Sequence, residues 1–383
     1  MAKDKKQKLR VDFRKNRQKR SRHNDITRQV DLESDDNAAA AHLEDLPSSE
    51  RLSGKGALTR RRTVIADVQE TGDGQIVIEV DESKCQRGRV ITPIGLNSMV
   101  QGDDGKRYEC TVRRLIRTLT RDGRNAVVAG DWVLFEPQEE GRGHIQRVEP
   151  RKSVLARGSK RFEHVIVANV DQVVIVVSVG EPALKLSLID RFVISATKGD
   201  ADVVICVNKA DLMDPVELQP ILGRYGQLGY QTVLVSAATG SGIDRLRELL
   251  RDRQSVFTGQ SGVGKSSLLN VVQPGLGLQT GEICSWNTKG RHTTRTARLI
   301  ELHSGGWVVD TPGIRQMELW DVSPDEVEGY FVEFRPFVAY CGFPDCTHTH
   351  EGNCQVKLAV KGGLISRARY DSYLRVRTGQ QDE

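Results

Sequence analysis

The sequence predicts a multidomain α/β protein in which a small β-barrel precedes a mostly parallel, helix-covered sheet and a short α-helical module. Three observations support this prediction. Residues 61–150 form short runs of alternating apolar and polar residues, which are typical of strands joined by turns. From about residue 165, β-branched runs alternate with stretches of helical spacing. Between 341 and 354, three cysteines and two histidines lie close together. The 383 residues are enough for two to four domains.

Residues 1–60 are polar and are predicted to be a disordered basic extension. Residues 1–30 contain twelve Lys and Arg and three Asp, although the whole chain has a net charge of only +5. A basic arm on a mildly acidic body is typical of contact with a polyanion. The alternative is a tail that is only solvated.

Residues 61–150 are predicted to form an N-terminal OB-like barrel. The apolar runs include QIVIEV at 75–80 and VVAGDWVLFEP at 127–137, and turns rich in Gly and Asp separate them. About five strands at this spacing match the size of an OB fold. The run GDWV near basic residues is compatible with nucleic-acid binding, but a purely structural barrel fits the pattern equally well.

Residues 151–322 are predicted to form an α/β domain with a mostly parallel sheet. VDQVVIVVSV at 170–179 and ADVVICV at 201–207 are β-branched runs of the kind expected for strands buried on both faces. GIDRLRELLRD at 242–252 has the spacing of an amphipathic helix. Strands that alternate with helices predict βαβ units with helices on both faces. The sequence has no run of 18 apolar residues, so we expect no membrane-spanning helix.

A strand, a glycine-rich loop and a helix follow one another at 254–272, and the loop matches the pattern G-x4-G-K-S. The glycines allow consecutive backbone N–H groups to converge on phosphates, and the start of the helix adds its positive end. Lys265 is expected to reach the β- and γ-phosphates as a catalytic residue, and the Ser266 hydroxyl to ligate Mg²⁺. The predicted phosphate-binding residues are Gly259, Gln260, Ser261, Gly262, Val263, Gly264, Lys265, Ser266 and Ser267.

A second phosphate-side motif is Asp310-Thr311-Pro312-Gly313, which ends the apolar run WVVD. A carboxylate at the carboxyl end of a buried strand can hold Mg²⁺ through water, so Asp310 is predicted to do so. Gly313 allows its backbone N–H to approach the γ-phosphate. Alone, an Asp in this position also fits a helix N-cap.

The run Asn208-Lys209-Ala210-Asp211 follows a buried strand and predicts recognition of guanine. The Asp211 carboxylate can accept from N1–H and N2–H₂ of guanine, and adenine offers neither donor at that edge. The stem of Lys209 can lie along the base, and Asn208 can connect this loop to the phosphate loop. Ser236 and Ala237 end the next strand, where a backbone N–H can donate to guanine O6.

The order of these motifs is unusual, because the guanine motifs at 208–211 and 236–237 precede the phosphate loop at Gly259. A parallel sheet depends on which strands are neighbours and not on where the chain starts. A circular permutation therefore preserves the site and moves the termini. The sequence predicts a circularly permuted P-loop GTPase fold.

This order, between a small β domain and a Cys/His module, resembles the bacterial small ribosomal subunit biogenesis GTPases of the RsgA (YjeQ) family. The residues that carry the resemblance are the motifs already described, Gly290-Arg291-His292-Thr293-Thr294, and the cluster from Cys341 to Cys354. The resemblance covers roughly residues 61–375. It implies a GTPase that binds GTP and GDP, associates with the 30S subunit late in assembly, contacts 16S rRNA, and hydrolyses GTP faster on the subunit.

The position after Gly313 is Ile314, an apolar residue that cannot orient a water molecule as the Gln of Ras-like enzymes does. We expect His292 to take that role, because a neutral imidazole can accept a hydrogen bond from the attacking water. The resemblance points to the same histidine. Thr293 or Thr294 is expected to supply the second hydroxyl ligand of Mg²⁺, and similar Thr-Thr-Arg segments favour Thr294.

Residues 323–383 are predicted to be a helical zinc-binding domain. Cys341, Cys346, His348 and Cys354 offer three thiolates and one imidazole, the ligand number of a closed structural Zn²⁺ site. His350 is an alternative fourth ligand, and the family spacing favours His348. The seven cysteines of the chain do not suggest a disulfide framework, so we expect a cytoplasmic protein. We also expect the protein to be monomeric in solution.

Other functional classes are less consistent with the motifs. A nucleotide-gated RNA-binding regulator with negligible hydrolysis is the main alternative, and Ile314 and the basic arm support it. A translation factor would need further β domains after the GTPase core. The run Asn208–Asp211 has no role in a metabolic P-loop kinase.

Overall fold

The structure of the chain, a computed structural model, describes residues 80–113, 116, 126–159, 162–278, 297–310 and 322–380, together with five short strands before residue 79. The chain divides into two compact units. Met1–Cys85 and Arg114–Gly123 form one, and Gln86–Arg113 and Arg124–Glu383 form the other.

The described part of the first unit consists of strands β1 (Gln7–Asp12), β2 (Arg51–Ser53), β3 (Arg61–Ala66), β4 (Val68–Glu70) and β5 (Ile76–Ile78). Strand β3 lies between β1 and β2 in an antiparallel sheet, and β4 pairs with β5. Two of these strands fall within 1–60, for which the sequence predicts disorder, and the rest of that stretch lies outside the described residues. The domain boundaries stay predictions.

The second unit begins with a closed five-stranded barrel, which confirms the OB-like barrel predicted from the sequence. Its strands are β6 (Gln86–Ile94), β7 (Asn97–Gly102), β8 (Arg107–Val112), β9 (Trp132–Pro137) and β10 (Arg142–Val148). The order around the barrel is β6-β7-β8-β10-β9, and β8 and β10 are its parallel pair. Alternate residues such as Val90, Val100, Phe135 and Ile145 are fully buried and fill the interior.

The barrel does not use the runs at 61–80 that the sequence analysis assigned to it. Those runs form β3, β4 and β5 in the first unit, whereas the hairpin of β6 and β7 supplies two barrel strands. Both regions alternate apolar and polar residues, and alternation alone does not show which strands close a barrel. Closure depends on pairing between strands distant in sequence, such as β6 with β9.

A six-stranded sheet forms the centre of the second unit, and a hairpin of β11 (Val154–Ser159) and β12 (Phe162–Ala168) precedes it. The strands of the sheet are β13 (Gln172–Ser178), β14 (Asp202–Asn208), β15 (Gln231–Leu234), β16 (Gln254–Thr258), β17 (Arg298–Glu301) and β18 (Trp307–Asp310). The order is β15-β14-β13-β16-β18-β17, and the β17–β18 pair is antiparallel while the others are parallel. This confirms the mostly parallel α/β domain.

Helices cover both faces of this sheet. They are α1 (Leu186–Lys198), α2 (Pro215–Gln227), α3 (Ile243–Leu250) and α4 (Lys265–Val272). Phe192 of α1 and Tyr225 of α2 belong to one apolar cluster, and Leu246 of α3 and Leu268 of α4 belong to a second. Every residue of β13 is buried, as a strand covered on both faces requires.

The C-terminal module contains α5 (Arg335–Val338), α6 (Gln355–Lys361) and α7 (Arg367–Thr378). Phe331, Phe334 and Tyr373 are fully buried in its apolar cluster, which also includes Ile194 of α1. The module therefore shares a core with the helix that covers the sheet. Among the helices that the structure describes, none has the length and apolar character needed to span a membrane.

Candidate functional site

The predicted nucleotide-binding motifs lie at the carboxyl ends of neighbouring parallel strands. Asn208 ends β14, Ser236 lies just after β15, and Gly259 follows β16. Ligands of open α/β sheets bind in the crevice outside the carboxyl ends of the strands. The sheet therefore brings the guanine and phosphate motifs to one edge, although their order along the chain is reversed.

The phosphate loop connects β16 to the first residue of α4, Lys265. Gly259 has φ 140°, and a Cβ there would lie 2.1 Å from the carbonyl oxygen of Val176, so no other residue fits. Gly264, the N-cap of α4, has φ 90°, and a Cβ there would lie 2.5 Å from Asn208 Nδ2. The loop is thus packed against β13 and the guanine motif, with its backbone free of side chains where a phosphate would approach.

Lys265 extends back over the loop that precedes it. Its Nζ donates to the carbonyl oxygens of Gly259, at 2.7 Å, and Gln260, at 2.5 Å. Ser266 and Ser267 follow in the first turn of α4 and are partly exposed. An ammonium, a hydroxyl and a helix amino end meet at this loop, which is the set of groups that binds an anion with its metal ion.

Asn208 connects three loops through its buried amide group. Its Nδ2 donates to the carbonyl oxygen of Val263 in the phosphate loop, at 2.8 Å. Its Oδ1 accepts from the backbone N–H of Ala237, at 3.2 Å. Both halves of the amide are therefore used, and the distance between the guanine and phosphate motifs is fixed by one side chain.

Asp211 projects from the guanine loop with its side chain exposed. Its carboxylate accepts from the Ser236 hydroxyl at 2.5 Å, and that hydroxyl accepts from the N–H of Thr239 at 3.1 Å. Lys209 has φ 59°, and its Nζ donates to the carbonyl oxygen of Glu181 at 2.6 Å. These bonds hold the carboxylate and the lysine stem at the rim of the crevice, where a base would bind.

The switch residues predicted from the sequence are mostly outside the described part of the chain. His292, Thr293, Thr294, Gly313 and Ile314 lie in the ranges 279–296 and 311–321, which the structure does not describe. Asp310 is described as the last residue of β18. Because β18 runs parallel to β16, its carboxyl end lies at the same edge of the sheet as the phosphate loop.

The Cys/His cluster forms a compact set of four ligand atoms. The ligand atoms of Cys341, Cys346, His348 and Cys354 all lie within 4.8 Å of one another. The Sγ atoms of Cys341 and Cys354 are 3.9 Å apart, and His348 Nδ1 lies 3.2 Å from Cys354 Sγ. Tetrahedral Zn²⁺ with Zn–S bonds of about 2.3 Å requires sulfur atoms roughly 3.8 Å apart. The donor set and its spacing fit a zinc ion.

His350, the alternative ligand, points away from this cluster. Its side chain is 83% exposed and its Nδ1 lies 3.8 Å from Glu351, whereas His348 is fully buried among the thiols. Burial raises the pKa of the Cys346 thiol to about 12. A thiolate in this place therefore needs a cation beside it.

The loop around the cluster is held by hydrogen bonds to its backbone. Glu351 accepts from the N–H groups of Thr347, at 2.7 Å, and Thr349, at 2.9 Å. Burial opposes the charge of this carboxylate, but its hydrogen bonds from Thr347 and from the backbone N–H groups of Glu351 and Thr349 together outweigh burial and lower the pKa of Glu351 to about 2. The Tyr370 hydroxyl donates to the carbonyl oxygen of His348, at 2.6 Å.

Glu328 is a residue of this centre that the sequence analysis missed. Its Oε2 lies 3.0 Å from His348 Nε2, while Nδ1 of the same ring faces the thiols. A carboxylate on the second ring nitrogen is the usual partner of a metal-binding histidine. Glu328 precedes Cys341 by thirteen residues and belongs to no ligand spacing, so only the folded chain reveals it.

Comparisons with known proteins agree with this geometry. Residues 148–320 match the model of the family described as RsgA GTPase. A small ribosomal subunit biogenesis GTPase RsgA of Moorella thermoacetica is 42% identical over 271 residues, which cover 71% of this chain and 89% of that protein.

Two solved structures also resemble the chain along most of its length. The crystal structure of YjeQ from Thermotoga maritima is 37% identical, with a TM-score of 0.64, and the match covers 77% of this chain and 98% of that one. The structure of YloQ, described as a circularly permuted GTPase, is 28% identical, with a TM-score of 0.63, and the match covers 79% of this chain and 97% of that one. The resemblance and the circular permutation inferred from the sequence are thereby confirmed.

Proposed function

The chain belongs to the RsgA GTPase family, and from this premise we propose that it hydrolyses GTP and assists the late maturation of the 30S ribosomal subunit. The observation that carries the proposal is the Asn208 amide, which joins the guanine motif to the phosphate loop. One side chain thereby connects the loops proposed to bind the two ends of a single guanosine triphosphate.

Different residues of this pocket are proposed to bind the base and the phosphates. Asp211 accepts from the guanine edge, and the stem of Lys209 lies along the base. The N–H of Ala237, which donates to Asn208 Oδ1, would be shared with guanine O6 when the base is bound. The loop from Gly259 to Ser267 surrounds the phosphates. When Mg²⁺ is bound, it neutralises charge on the β- and γ-phosphates, and the hydroxyls of Ser266 and Thr294 are suitable hard ligands for it.

In the proposed reaction, a water oxygen attacks the γ-phosphorus and the bond to the β–γ bridging oxygen breaks, which yields GDP and phosphate. Lys265 turns from the loop carbonyls to the β- and γ-phosphate oxygens and stabilises the charge that develops there. Asp310, at the end of β18, lies at the phosphate edge and would hold Mg²⁺ through water, and the Gly313 N–H would approach the γ-phosphate. Ile314 cannot orient the water, so we assign that role to His292.

The Cys/His centre is proposed to hold one structural Zn²⁺ through Cys341, Cys346, His348 and Cys354. Four protein ligands leave no position for a substrate, so the ion would stabilise the module and not catalyse a reaction. Zinc near one equivalent in protein prepared without chelator is expected, and its absence from reduced protein would contradict the assignment.

The partners proposed are the 30S subunit and its 16S rRNA, which a cytoplasmic monomer would approach through its basic segments. The relatives that match along most of this chain are named for small ribosomal subunit biogenesis, which supports this partner. The basic arm at 1–30 and the OB-like barrel are the features most suited to RNA.

Multiple-turnover phosphate release with and without 30S subunits tests the proposed reaction. We expect GTP but not ATP to be hydrolysed, with a higher kcat when 30S is present. Nucleotide binding without turnover in both conditions would favour a nucleotide-gated RNA-binding regulator instead. Sedimentation with 30S in GDP or in a non-hydrolysable GTP analogue would show which state associates.

His292→Ala tests the assignment of the water-orienting residue. We expect GTP affinity to be retained and kcat on the 30S subunit to fall more than about tenfold, because a general base of this kind contributes about 10²–10⁴-fold. An unchanged kcat in the presence of 30S would reject this role.

A further inference from the structure

Strand β6 of the barrel lies against the edge of the sheet that carries β17 and β18. The Thr92 hydroxyl donates to the carbonyl oxygen of Ala297, at 3.5 Å, just before β17. Ile91 is buried in the same apolar cluster as Leu299 of β17 and Val309 of β18. The barrel therefore packs directly on the strands that border the two switch segments of the sequence, 279–296 and 311–321.

Arg89 of β6 enters this contact and lies between two tryptophans. Its guanidinium lies 5.1 Å from the ring centroid of Trp132 in the barrel and 5.6 Å from that of Trp307 in β18. Its Nη2 donates to Oε1 of Gln254, the first residue of β16. One barrel residue thus contacts the first residues of two sheet strands, and Gln254 and Trp307 are paired in register.

These two strands lead directly to the phosphate side of the pocket. Strand β16 runs from Gln254 to Thr258, the residue before Gly259, and β18 runs from Trp307 to Asp310. At about 3.3 Å per residue, Gln254 lies roughly 17 Å from Gly259 and Trp307 roughly 10 Å from Asp310. Packed secondary elements can carry a displacement between two sites, so a shift at the amino ends of these paired strands can reach their carboxyl ends.

The contact of Arg89 with the sheet carries a cost in folding free energy. Arg89 Nε is buried and has no hydrogen-bond partner among the described residues. Burial lowers the pKa of the Arg89 guanidinium to about 10, so the group stays charged at neutral pH inside the contact. A buried cation with an unsatisfied donor costs free energy that an apolar side chain of the same length would not.

We infer that Arg89 is a positioning residue that acts when RNA is bound to the barrel: it then transmits a shift of the barrel to the phosphate loop and Asp310, and so alters the rate of GTP hydrolysis. The inference rests on the proposed function, since it concerns the same pocket. A planar guanidinium is suited to this role because it stacks on aromatic rings while its edge donates to Gln254. A lysine ammonium cannot stack flat on the rings and donate to Gln254 at the same time.

The test compares GTP hydrolysis by Arg89→Met and the unmodified chain at saturating 30S, where differences in subunit affinity no longer contribute. We expect Arg89→Met to keep the GTP Kd and the turnover without 30S within about twofold. The stimulation of kcat by 30S should fall at least about tenfold, with KM nearly unchanged. Arg89→Lys should recover only part of the stimulation.

Arg87→Met is the matched control, because Arg87 lies on the same strand and over the same ring of Trp132, at 4.1 Å, but pairs with Glu149. It should keep the stimulation within about twofold. Gln254→Met removes the acceptor on the sheet side, together with the bond from Gln254 Nε2 to the carbonyl oxygen of Ala168. It should reproduce the loss of stimulation expected for Arg89→Met, and it tests the contact if Arg89→Met does not fold.

If Arg89→Met and Gln254→Met both retain stimulation by 30S, the inference is overturned and the proposed function is unaffected. The same holds if the Arg87→Met control loses as much stimulation as Arg89→Met. If the unmodified chain shows no hydrolysis or no stimulation by 30S, the proposed function fails and this inference fails with it. The two failures are therefore distinguishable.

Discussion

At the scale of single residues, Asn208 determines the geometry of the nucleotide pocket. It is buried, with both ends of its amide bonded to loops far apart in sequence, to Val263 and to Ala237. An unpaired buried amide is unfavourable, so the three loops are held in one arrangement even before a nucleotide binds. The guanine site and the phosphate site are thereby preorganised at a fixed separation.

Asp211→Asn should change the base that the pocket accepts. The carboxylate is proposed to accept two hydrogen bonds from guanine, whereas an amide can donate to the O2 of xanthine. We expect the GTP affinity to fall at least about 100-fold and the affinity for xanthosine triphosphate to rise, because unpaired buried groups exclude the wrong base. Competition binding measures both. Asp214→Asn, a conservative change at the N-cap of α2, is the control and should leave both affinities unchanged. Equal GTP binding by Asp211→Asn would contradict the base assignment.

Glu328→Ala should lower the affinity of the Cys/His centre for the zinc ion that it is proposed to hold. Without the carboxylate at 3.0 Å, the His348 ring loses the partner that orients it. Removal of such a partner typically lowers metal affinity by about 10–100-fold. Competition with a chromogenic chelator measures the affinity. Glu326→Ala is the control, since Glu326 pairs with Lys198 instead. The zinc affinity of Glu328→Gln should lie between that of Glu328→Ala and that of the unmodified chain. If Glu328→Ala holds zinc as tightly as the control, Glu328 does not orient the ligand.

At the scale of elements, the phosphate loop shows how a backbone requirement selects residues. The loop must turn from β16 into α4 while it packs on β13, and this requires positive φ at Gly259 and Gly264. The same glycines leave the N–H groups open to a phosphate. Structure and binding therefore depend on the same positions.

Gly259→Ala should abolish tight nucleotide binding, because the added Cβ would lie 2.1 Å from the carbonyl oxygen of Val176. The loop must then move away from β13, and the GTP affinity should fall at least about 100-fold. Ser261→Ala, in an exposed part of the same loop, should change the affinity less than about threefold. Titration with a fluorescent GTP analogue distinguishes the two, and comparable affinities for both variants would refute the strain argument.

Helix α1 contributes residues to two apolar clusters. Ile189 and Phe192 pack on the sheet, whereas Ile194 belongs to the apolar cluster of the zinc-binding module. Asp190 lies on the same helix and is fully buried. The helix is therefore the structural connection between the GTPase domain and the module.

At the scale of the whole second unit, a buried ionic group fixes the module on the GTPase domain. Arg369 of α7 donates to Asp190 at 2.5 Å and forms a two-bond pair with Glu333, at 2.6 and 3.1 Å. Burial opposes the charge of Arg369, but the two carboxylates outweigh it and raise its pKa. Tyr225 of α2 also donates to Asp190, at 2.7 Å. The module is thus tied to two helices of the sheet domain.

Arg369→Met should destabilise the second unit by about 3–5 kcal/mol, because it leaves Asp190 and Glu333 buried without a cation. Asp190→Asn should cost less, since Glu333 still pairs with Arg369. The double variant should be more stable than the sum of the single effects predicts, which urea unfolding would reveal as a coupling free energy above about 1 kcal/mol. Arg367→Met breaks an exposed pair on the same helix and should cost less than about 0.5 kcal/mol. Additive effects of Asp190→Asn and Arg369→Met would show that the pair does not act as a unit.

Features whose chemistry lies within a short stretch of chain could be predicted from the amino-acid sequence. The phosphate loop, the guanine motif and the cysteine spacing were all predicted, because glycine conformation and ligand reach depend on residues a few positions apart. The reversed order of the motifs was sufficient to infer the circular permutation. His292 and Thr294 are inferences of the same local kind and stay predictions.

Contacts between residues that are distant in sequence became visible in the folded chain and not before. The choice of His348 over His350, the carboxylate of Glu328, the contact of Arg89 with two strands, and the barrel membership of β6 and β7 all depend on contacts between separate elements. Local sequence carries no signal for such contacts, because alternating or charged residues look the same whichever partner they will face. Packing of the complete fold selects among those partners, since each buried polar group must find one that satisfies it.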